Sequence, residues 1–164
     1  MFGFLKKKDK AEKDYLLHAV ADGEAIEITQ VNDPVFSQKM MGDGYAVLPT
    51  SGDIYAPIKG KVLSVFPTKH AVGMKMDNGL EVLLHMGVDT VSLEGAPFEI
   101  KVKEGQSVDE HTLIAKVDLQ ALKKAEKNND MIVILTNMDQ VASYELSKTG
   151  SVTAGEVIGE VTAK

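Results

Sequence analysis

The chain has 164 residues, of which 44% are hydrophobic, and this is enough to bury the core of one domain. Its formal net charge of −6 argues against a nucleic-acid partner, since such proteins usually carry a basic face. Cysteine is absent, which excludes disulfides, thiolate zinc sites and a cysteine nucleophile. No apolar run approaches the roughly 18 residues of a transmembrane helix and no secretory signal is evident, so we expect a cytoplasmic protein.

Residues 1–17 are predicted to form a flexible N-terminal tail, followed by one domain over residues 18–164. Phe2, Phe4 and Leu5 precede a lysine cluster and mixed charges, a composition typical of a solvated chain end. The alternative is a weak contact with an anionic membrane surface, because an apolar tip beside lysines can touch lipid.

Short apolar runs separated by Gly, Pro, Asn and Asp dominate the rest of the chain. Tyr45–Leu48 and Met131–Leu135 are two of these strand-length runs. The pattern predicts an all-β fold, an antiparallel β-sandwich or barrel with one or two short helices. The best helix candidate covers residues 119–128 with Asp118 as its N-cap, and a further turn or two is predicted within residues 139–146.

Two histidines, His70 and His85, lie on what the pattern predicts to be partner strands. Asn78-Gly79 between them predicts a hairpin with a two-residue loop, because both central positions of that turn need φ > 0. In that register Val72 faces His85, and the two histidines are diagonal neighbours on one face. A slip by one residue is expected to send the rings to opposite faces of the sheet.

Two neutral imidazoles on one apolar face are compatible with a metal site, an acid–base pair, or a nucleophile with a supporting donor. A metal site usually recruits a third ligand, and none is evident beside them, although Asp89 falls on the same face as His85. The nucleophile is favoured, because imidazole is largely neutral at cytoplasmic pH. Phosphoryl transfer needs mainly an aligned nucleophile and donors for the phosphoryl oxygens. Thr68, two residues before His70, is the candidate that fixes the tautomer of His70.

The segment Gly79–Val91 resembles the signature around the phosphorylated histidine of the glucose-type IIA component of the bacterial sugar phosphotransferase system. The resemblance extends from about residue 19 to residue 159 and implies an antiparallel β-sandwich, in agreement with the strand pattern. It includes several ordered motifs: Phe36–Ala46, Pro57–Gly60, Phe66–His70, Glu104–Gln106 and Thr136–Asp139.

The resemblance implies that His85 accepts a phosphoryl group from the small carrier HPr and passes it to a cysteine on the IIB domain of a sugar permease. His70 resembles the supporting histidine and Thr68 the residue that orients it. Asp139 matches a further position close to the site. The family's partner-docking face, an apolar surface rimmed by carboxylates, maps onto Asp33, Val35, Phe36, Met40, Met41, Phe66, Leu83, Asp89 and Val91.

No cofactor is required by this chemistry. Zinc is expected only as an ion that His70 and His85 share with a partner's carboxylate in a complex. Lys75 stands where the enteric versions lead us to expect an acid, and Met40, Met41 and Met86 replace other apolar residues, as in domains from Gram-positive bacteria. The sequence therefore leaves open the regulatory targets that the surface serves, and the sugar, which the permease selects.

Two other classes of protein share parts of this pattern. Met74-Lys75-Met76 resembles a biotin-attachment motif, but the lysine precedes the predicted turn, so we expect it to face solvent within a strand. A zinc endopeptidase on a similar β-scaffold requires a His-x-His pair, which this sequence lacks. The remaining histidines, His18 and His111, are predicted to be surface residues.

Overall fold

The computed structural model describes residues 15–164, which form strands paired antiparallel and two short helices. The all-β prediction is confirmed. The helices are α1 (Pro34–Ser37) and α2 (Leu119–Lys124), with single 3-10 turns at Ile28–Gln30, Thr90–Leu93 and Met138–Gln140. The strands are β1 (Leu16–His18), β2 (Gly23–Glu27), β3 (Gly44–Pro49), β4 (Asp53–Tyr55), β5 (Gly60–Val65), β6 (Ala71–Met76), β7 (Glu81–Val88), β8 (Phe98–Ile100), β9 (Ser107–Val108), β10 (Leu113–Val117), β11 (Asn128–Leu135), β12 (Val141–Leu146), β13 (Gly150–Val152) and β14 (Val157–Ala163).

The described strands form three sheets. The largest has eight strands in the order β13-β2-β3-β11-β7-β6-β5-β9, and two three-stranded sheets have the orders β1-β14-β12 and β4-β10-β8. All three sheets contribute to one main core, to which Leu84 of β7, Ile114 of β10 and Ile158 of β14 belong, each 0% exposed. The main core thus covers one face of the eight-stranded sheet.

The other face of that sheet carries a smaller apolar cluster, which underlies the candidate site. Leu83 of β7 and Ile132 of β11 point into it, whereas their neighbours along each strand point into the main core. Ile28 and Phe36 cover the cluster from the chain segment between β2 and β3. Asp33 is the N-cap of helix α1, and its side chain accepts a hydrogen bond from the backbone N–H of Val35 at 2.9 Å.

The predicted helix at residues 119–128 is shorter than expected. Asp118 is its N-cap as predicted, and its carboxylate accepts from the backbone N–H of Ala121 at 3.0 Å. The helix ends at Lys124, because Glu126 adopts a left-handed φ of 58° and Asn128 already pairs with β7 as the first residue of β11. Residues 139–146 contain the predicted turn only at their start, since Val141 begins a strand that pairs with β14.

The folded domain begins earlier than residue 18. Leu16 and Leu17 were predicted to belong to the tail, but they pair with β14, and Leu17 is 1% exposed within the main core. The rest of the predicted tail, including Phe2 and the lysine cluster, lies outside the described residues. Within residues 15–164, no helix has both the length and the apolar character needed to cross a bilayer.

Asn137 ties the loop before β12 to the start of β7. Its side-chain oxygen accepts from the backbone N–H of Glu81 at 2.8 Å, and its amide donates to the carbonyl oxygen of Gly79 at 3.2 Å. Replacing Asn137 with Ala leaves both backbone groups unpaired, so we expect the free energy of unfolding to fall by about 1–2 kcal/mol in a denaturant titration.

The matched control is Gln140→Ala, because the side chain of Gln140 is exposed and bonds only its exposed neighbour Asp139 among the described contacts. We expect a change within about 0.5 kcal/mol for this variant. Equal stabilities of Asn137→Ala and Gln140→Ala would show that the Asn137 bridge contributes nothing.

Candidate functional site

The hairpin that carries the two histidines has a three-residue loop, so the predicted two-residue loop is wrong. Lys75 pairs with Glu81, and Ala71 pairs with His85. Within the loop Asp77–Gly79, only Gly79 has a left-handed φ, at 91°. A three-residue loop needs one such position, whereas the predicted two-residue loop needs two. The register is therefore shifted by one residue from the prediction.

His70 and His85 nevertheless lie side by side, with ring centroids 5.0 Å apart and planes at 77°. The expectation that a one-residue slip would separate them is wrong, because His70 lies just before β6 and does not follow the strand's alternation. Lys69 has a φ of 60°, which turns the chain before His70. The carbonyl of His70 then accepts a hydrogen bond from the backbone N–H of Met86 at 2.7 Å, which fixes His70 against β7.

The protonation of the His85 ring is set by the backbone two residues further on. Nδ1 of His85 lies 2.6 Å from the carbonyl oxygen of Gly87. A carbonyl oxygen only accepts hydrogen bonds, so Nδ1 carries the proton and donates it, and Nε2 keeps its lone pair. The ring of Phe36 packs against the same imidazole, with centroids 5.1 Å apart at 58°. His85 is thus held as a single neutral tautomer with Nε2 available.

Thr68 contacts the ring of His70, the residue that it was predicted to orient. Oγ1 of Thr68 lies 2.6 Å from Nδ1 of His70, and Phe66 contacts the ring edge-on with centroids 5.5 Å apart. A hydroxyl can donate or accept, so Thr68 can support either neutral tautomer of His70. When the hydroxyl donates to Nδ1, the Nε2–H of His70 becomes a hydrogen-bond donor beside His85.

Burial shifts both imidazoles toward the neutral form. Desolvation lowers the pKa of His70 below its usual value of 6.5. Desolvation is also the largest influence on His85, whose pKa is lowered despite the opposing effects of the Gly87 hydrogen bond and the carboxylates of Asp33 and Asp89. Both rings are therefore neutral around pH 7, as a nucleophile and a hydrogen-bond donor require.

A shallow cavity of about 240 Å³ opens beside His85 and is flanked by Asp33 and Asp89. Phe36 and Leu83 were predicted to belong to the docking face, and the structure places both beneath the surface, at 6% and 9% exposed. The apolar residues of the predicted docking face that the structure leaves exposed are Val35, Met40, Met41, Phe66 and Val91.

Among the contacts of residues 15–164, Asp139 has none with His70 or His85. It lies in the turn Met138–Gln140, where its carboxylate accepts from the side chain of Gln140 at 3.1 Å. The neighbouring Asn137 attaches this turn to Glu81, at the opposite end of β7 from Gly87. The carboxylates that act on His85 are instead those of Asp33 and Asp89.

Gly87 and Thr90 position the site in ways that the sequence pattern did not assign. Gly87 has a φ of 83°, and a Cβ there would lie 2.6 Å from both the carbonyl oxygen of Asn128 and Cγ2 of Thr90. Thr90 is 0% exposed, and its hydroxyl donates to the carbonyl of Met86 at 2.7 Å. The peptide that precedes Gly87 is thus held on one side by Thr90. The sequence signal that could have revealed these roles is a glycine followed closely by a threonine at the end of a strand.

The alternative readings of the sequence do not gain support from the structure. Lys75 is exposed within β6 between the buried Met74 and Met76, as expected of an ordinary strand lysine. Within residues 15–164, no group of three or more histidines and carboxylates is arranged to hold a metal ion. His111 is exposed as predicted, but His18 is only 5% exposed, so its prediction as a surface residue is wrong.

His18 is buried because β1 carries it into the fold. Its Nδ1 donates to the carbonyl oxygen of Gly155 at 3.0 Å, and its Nε2 lies 3.5 Å from Glu110. The short apolar run before His18 gave too little periodicity to reveal that strand.

We expect the Thr90 hydroxyl to hold Gly87 in the position that fixes the His85 tautomer. Thr90→Val keeps a similar shape but leaves the buried Met86 carbonyl unpaired, which costs about 1–3 kcal/mol of stability. In ¹⁵N NMR spectra of the His85 ring, Thr90→Val should show a mixture of tautomers. Thr90→Ser retains the hydroxyl and should keep the single Nδ1–H form. A pure Nδ1–H form in both variants would contradict a positioning role.

The lowered pKa values predict how stability depends on pH. Just below pH 6.5, the usual value for histidine, the unfolded chain binds more protons than the folded chain at His70 and His85. The free energy of unfolding should therefore rise with pH between the folded-state pKa values of the two histidines and about pH 6.5. Above that pH the two histidines should add no further pH dependence. Denaturant titrations of the wild type and of a His70→Gln/His85→Gln variant measure this slope. The same slope in both proteins would show that other groups cause it.

Residues 15–141 match the family described as the phosphoenolpyruvate-dependent sugar phosphotransferase system, EIIA 1. The chain is 42% identical over 150 residues to the PTS system glucose-specific EIIA component of Staphylococcus aureus. That alignment covers 92% of this chain and 90% of the staphylococcal protein. The chain is 49% identical over 154 residues to the PTS system glucose-specific EIICBA component of Streptococcus pneumoniae serotype 4. That alignment covers 94% of this chain but only 21% of the longer pneumococcal protein.

The fold also matches a solved structure, that of glucose permease IIA from Mycoplasma capricolum. The TM-score is 0.80 at 41% sequence identity, and the match covers 88% of this chain and 93% of that one. The sequence comparison and the structure comparison both cover most of the chain at identities above 40%, and they indicate the same group of proteins. The chain belongs to the EIIA 1 family of the phosphoenolpyruvate-dependent sugar phosphotransferase system.

Proposed function

We propose that this chain is a phosphocarrier that takes a phosphoryl group onto Nε2 of His85 and passes it to a second protein. The single observation that carries the proposal is the hydrogen bond from Nδ1 of His85 to the carbonyl oxygen of Gly87. It leaves the lone pair on Nε2, and the lowered pKa of the ring keeps that lone pair unprotonated. The names of the relatives, glucose-specific EIIA components, agree with such a role.

In the accepting step, the lone pair of His85 Nε2 attacks the phosphorus atom of the phosphohistidine on HPr. The new N–P bond forms as the donor's N–P bond breaks, and the electron pair of the broken bond returns to the donor's imidazole. The proton on Nδ1 stays in place, and the ring gains positive charge. The carbonyl of Gly87, already 2.6 Å away, stabilises that charge as it develops.

His70 supplies a hydrogen bond to the phosphoryl group in this proposal. Its ring centroid lies 5.0 Å from that of His85, and Thr68 bonds its Nδ1 at 2.6 Å. With the Thr68 hydroxyl donating to Nδ1, Nε2–H of His70 can donate to a phosphoryl oxygen. In the onward step a cysteine thiolate of a IIB domain attacks phosphorus, and the N–P electron pair returns to Nε2 of His85.

The surface around His85 fits partners with an apolar centre and a basic rim. Val35, Met41 and Val91 are exposed beside the cavity, and the carboxylates of Asp33 and Asp89 flank it. Arginine or lysine side chains on HPr and on the IIB domain would complement these carboxylates and speed encounter. The pneumococcal relative is named as an EIICBA protein, which agrees with a IIB partner for this domain.

We also propose that this site holds zinc only when a partner adds a ligand. His70 and His85 offer two imidazoles at 5.0 Å centroid separation, whereas zinc sites use three or four protein ligands. Each ring has its Nδ1 engaged, by Thr68 and by Gly87, so each has its Nε2 to offer. A carboxylate from a docked protein would complete the set.

Separate substitution of the two histidines distinguishes acceptance of the phosphoryl group from its onward transfer. His85→Gln removes the nucleophile, so HPr-dependent phosphorylation should be abolished. His70→Gln keeps the nucleophile but loses the ring donor, so this variant should still be phosphorylated and should pass the group to a IIB domain at least about tenfold more slowly. Incubation with phosphoenolpyruvate, the first enzyme of the system and HPr, followed by mapping of acid-labile phosphate, measures both steps.

The control for this experiment is His111→Gln, since His111 is an exposed histidine that lines a different cavity from His85. It should accept and transfer phosphate like the wild type. Acid-labile phosphate on a residue other than His85 would overturn the proposal. Normal onward transfer by His70→Gln would overturn only the role of His70.

A further inference from the structure

The methionines of this protein divide into two groups by exposure. Within residues 15–164, four of them are no more than 2% exposed and lie in the main core: Met74, Met76, Met86 and Met131. The others are exposed at the surface: Met40 at 69%, Met41 at 39% and Met138 at 38%. Oxidants in solution therefore reach three described thioethers far more readily than the other four.

Two of the exposed methionines lie beside the candidate site. Met40 and Met41 follow α1, whose Phe36 packs on the His85 ring at 5.1 Å. Met41 lines the same cavity as His85. The segment is held in place by backbone hydrogen bonds, from the N–H of Met40 to the carbonyl of Val35 at 3.1 Å and from the N–H of Gly42 to that of Lys39 at 3.2 Å. The backbone that carries both methionines is thus held beside the site, and Met41 itself lines the cavity.

We propose that Met40 and Met41 are a reversible oxidation site through which hydrogen peroxide weakens the docking of partner proteins at His85. The inference rests on the proposed phosphocarrier function. In the modification, the thioether sulfur attacks one peroxide oxygen, an S–O bond forms and the O–O bond breaks. The leaving hydroxide takes the remaining proton, so sulfur is oxidised to the sulfoxide and the peroxide is reduced to water. Methionine sulfoxide reductases reverse the change.

Oxidation changes the chemistry of the docking rim without a change in the core. A sulfoxide is strongly polar, and a docked partner has to remove it from water without an arranged hydrogen-bond partner. Since burial of an unpaired polar group is unfavourable, we expect KM for the protein donor to rise about tenfold, which corresponds to about 1.4 kcal/mol. The fold should be retained, because the four core methionines are shielded at 2% exposure or less.

Met138 provides a matched comparison, since its exposure of 38% is close to the 39% of Met41. It lies in the turn before β12, which Asn137 attaches to the start of β7 rather than to the segment after α1. Its sulfoxide should form at a similar rate to that of Met41. If position on the rim is what matters, oxidation of Met138 should leave docking unaffected.

The test treats the full chain with hydrogen peroxide and locates sulfoxides by peptide mass spectrometry. Initial rates of His85 phosphorylation are then measured with phospho-HPr and, separately, with phosphoramidate, a small donor that needs no docking surface. Three proteins are compared, each against its own untreated form: wild type, Met40→Leu/Met41→Leu and Met138→Leu. Circular dichroism verifies that the treated proteins remain folded.

We expect oxidation to raise KM for phospho-HPr about tenfold in the wild type and in Met138→Leu, and less than about twofold in Met40→Leu/Met41→Leu. Labelling by phosphoramidate should not change, and sulfoxide reductase should restore the wild-type rate. The inference is overturned if oxidised wild type keeps its KM, or if the double variant loses as much as the wild type. Failure of the untreated wild type to accept phosphate on His85 would instead overturn the proposed function itself.

Discussion

The hydrogen bond from Nδ1 of His85 to the carbonyl oxygen of Gly87 is the interaction on which the site depends. It selects one neutral tautomer and leaves the lone pair of the ring on Nε2. The carbonyl can reach back to the ring only because Gly87 adopts a φ of 83°, where side chains are strained and where Asn128 and Thr90 leave no room for a Cβ. A backbone conformation therefore decides which ring nitrogen keeps its lone pair.

The two faces of β7 divide the structural and chemical tasks of the protein. Leu84 and Met86 pack into the main core with 0% exposure, while Leu83 and His85 point to the opposite face. That face is covered by Phe36 from α1, which removes water from one side of the imidazole. The same burial lowers the pKa of His85, so the packing that stabilises the fold also keeps the ring neutral. The stability of the fold and the protonation state of His85 are thus coupled through a single strand.

Much of the fold and the site could be predicted from local pattern, and the errors have specific causes. Alternation of apolar residues predicted the strands, and the cap at Asp118 was correct. The register of the hairpin was wrong, because Asn78-Gly79 is compatible with loops of two or three residues and the sequence alone does not distinguish them. The rings still meet because Lys69 takes a left-handed conformation, which no rule of strand alternation anticipates.

The sequence by itself determined the class of fold, the pair of histidines and the partner of His70, since these follow from alternation, residue chemistry and close spacing along the chain. Only the tertiary structure decided the tautomer of His85, the burial of Phe36 and Leu83, and the attachment of the turn that carries Asp139 to the start of β7. Those properties depend on backbone dihedral angles and on contacts between segments distant in sequence. They are fixed only when the strands pair and the core closes.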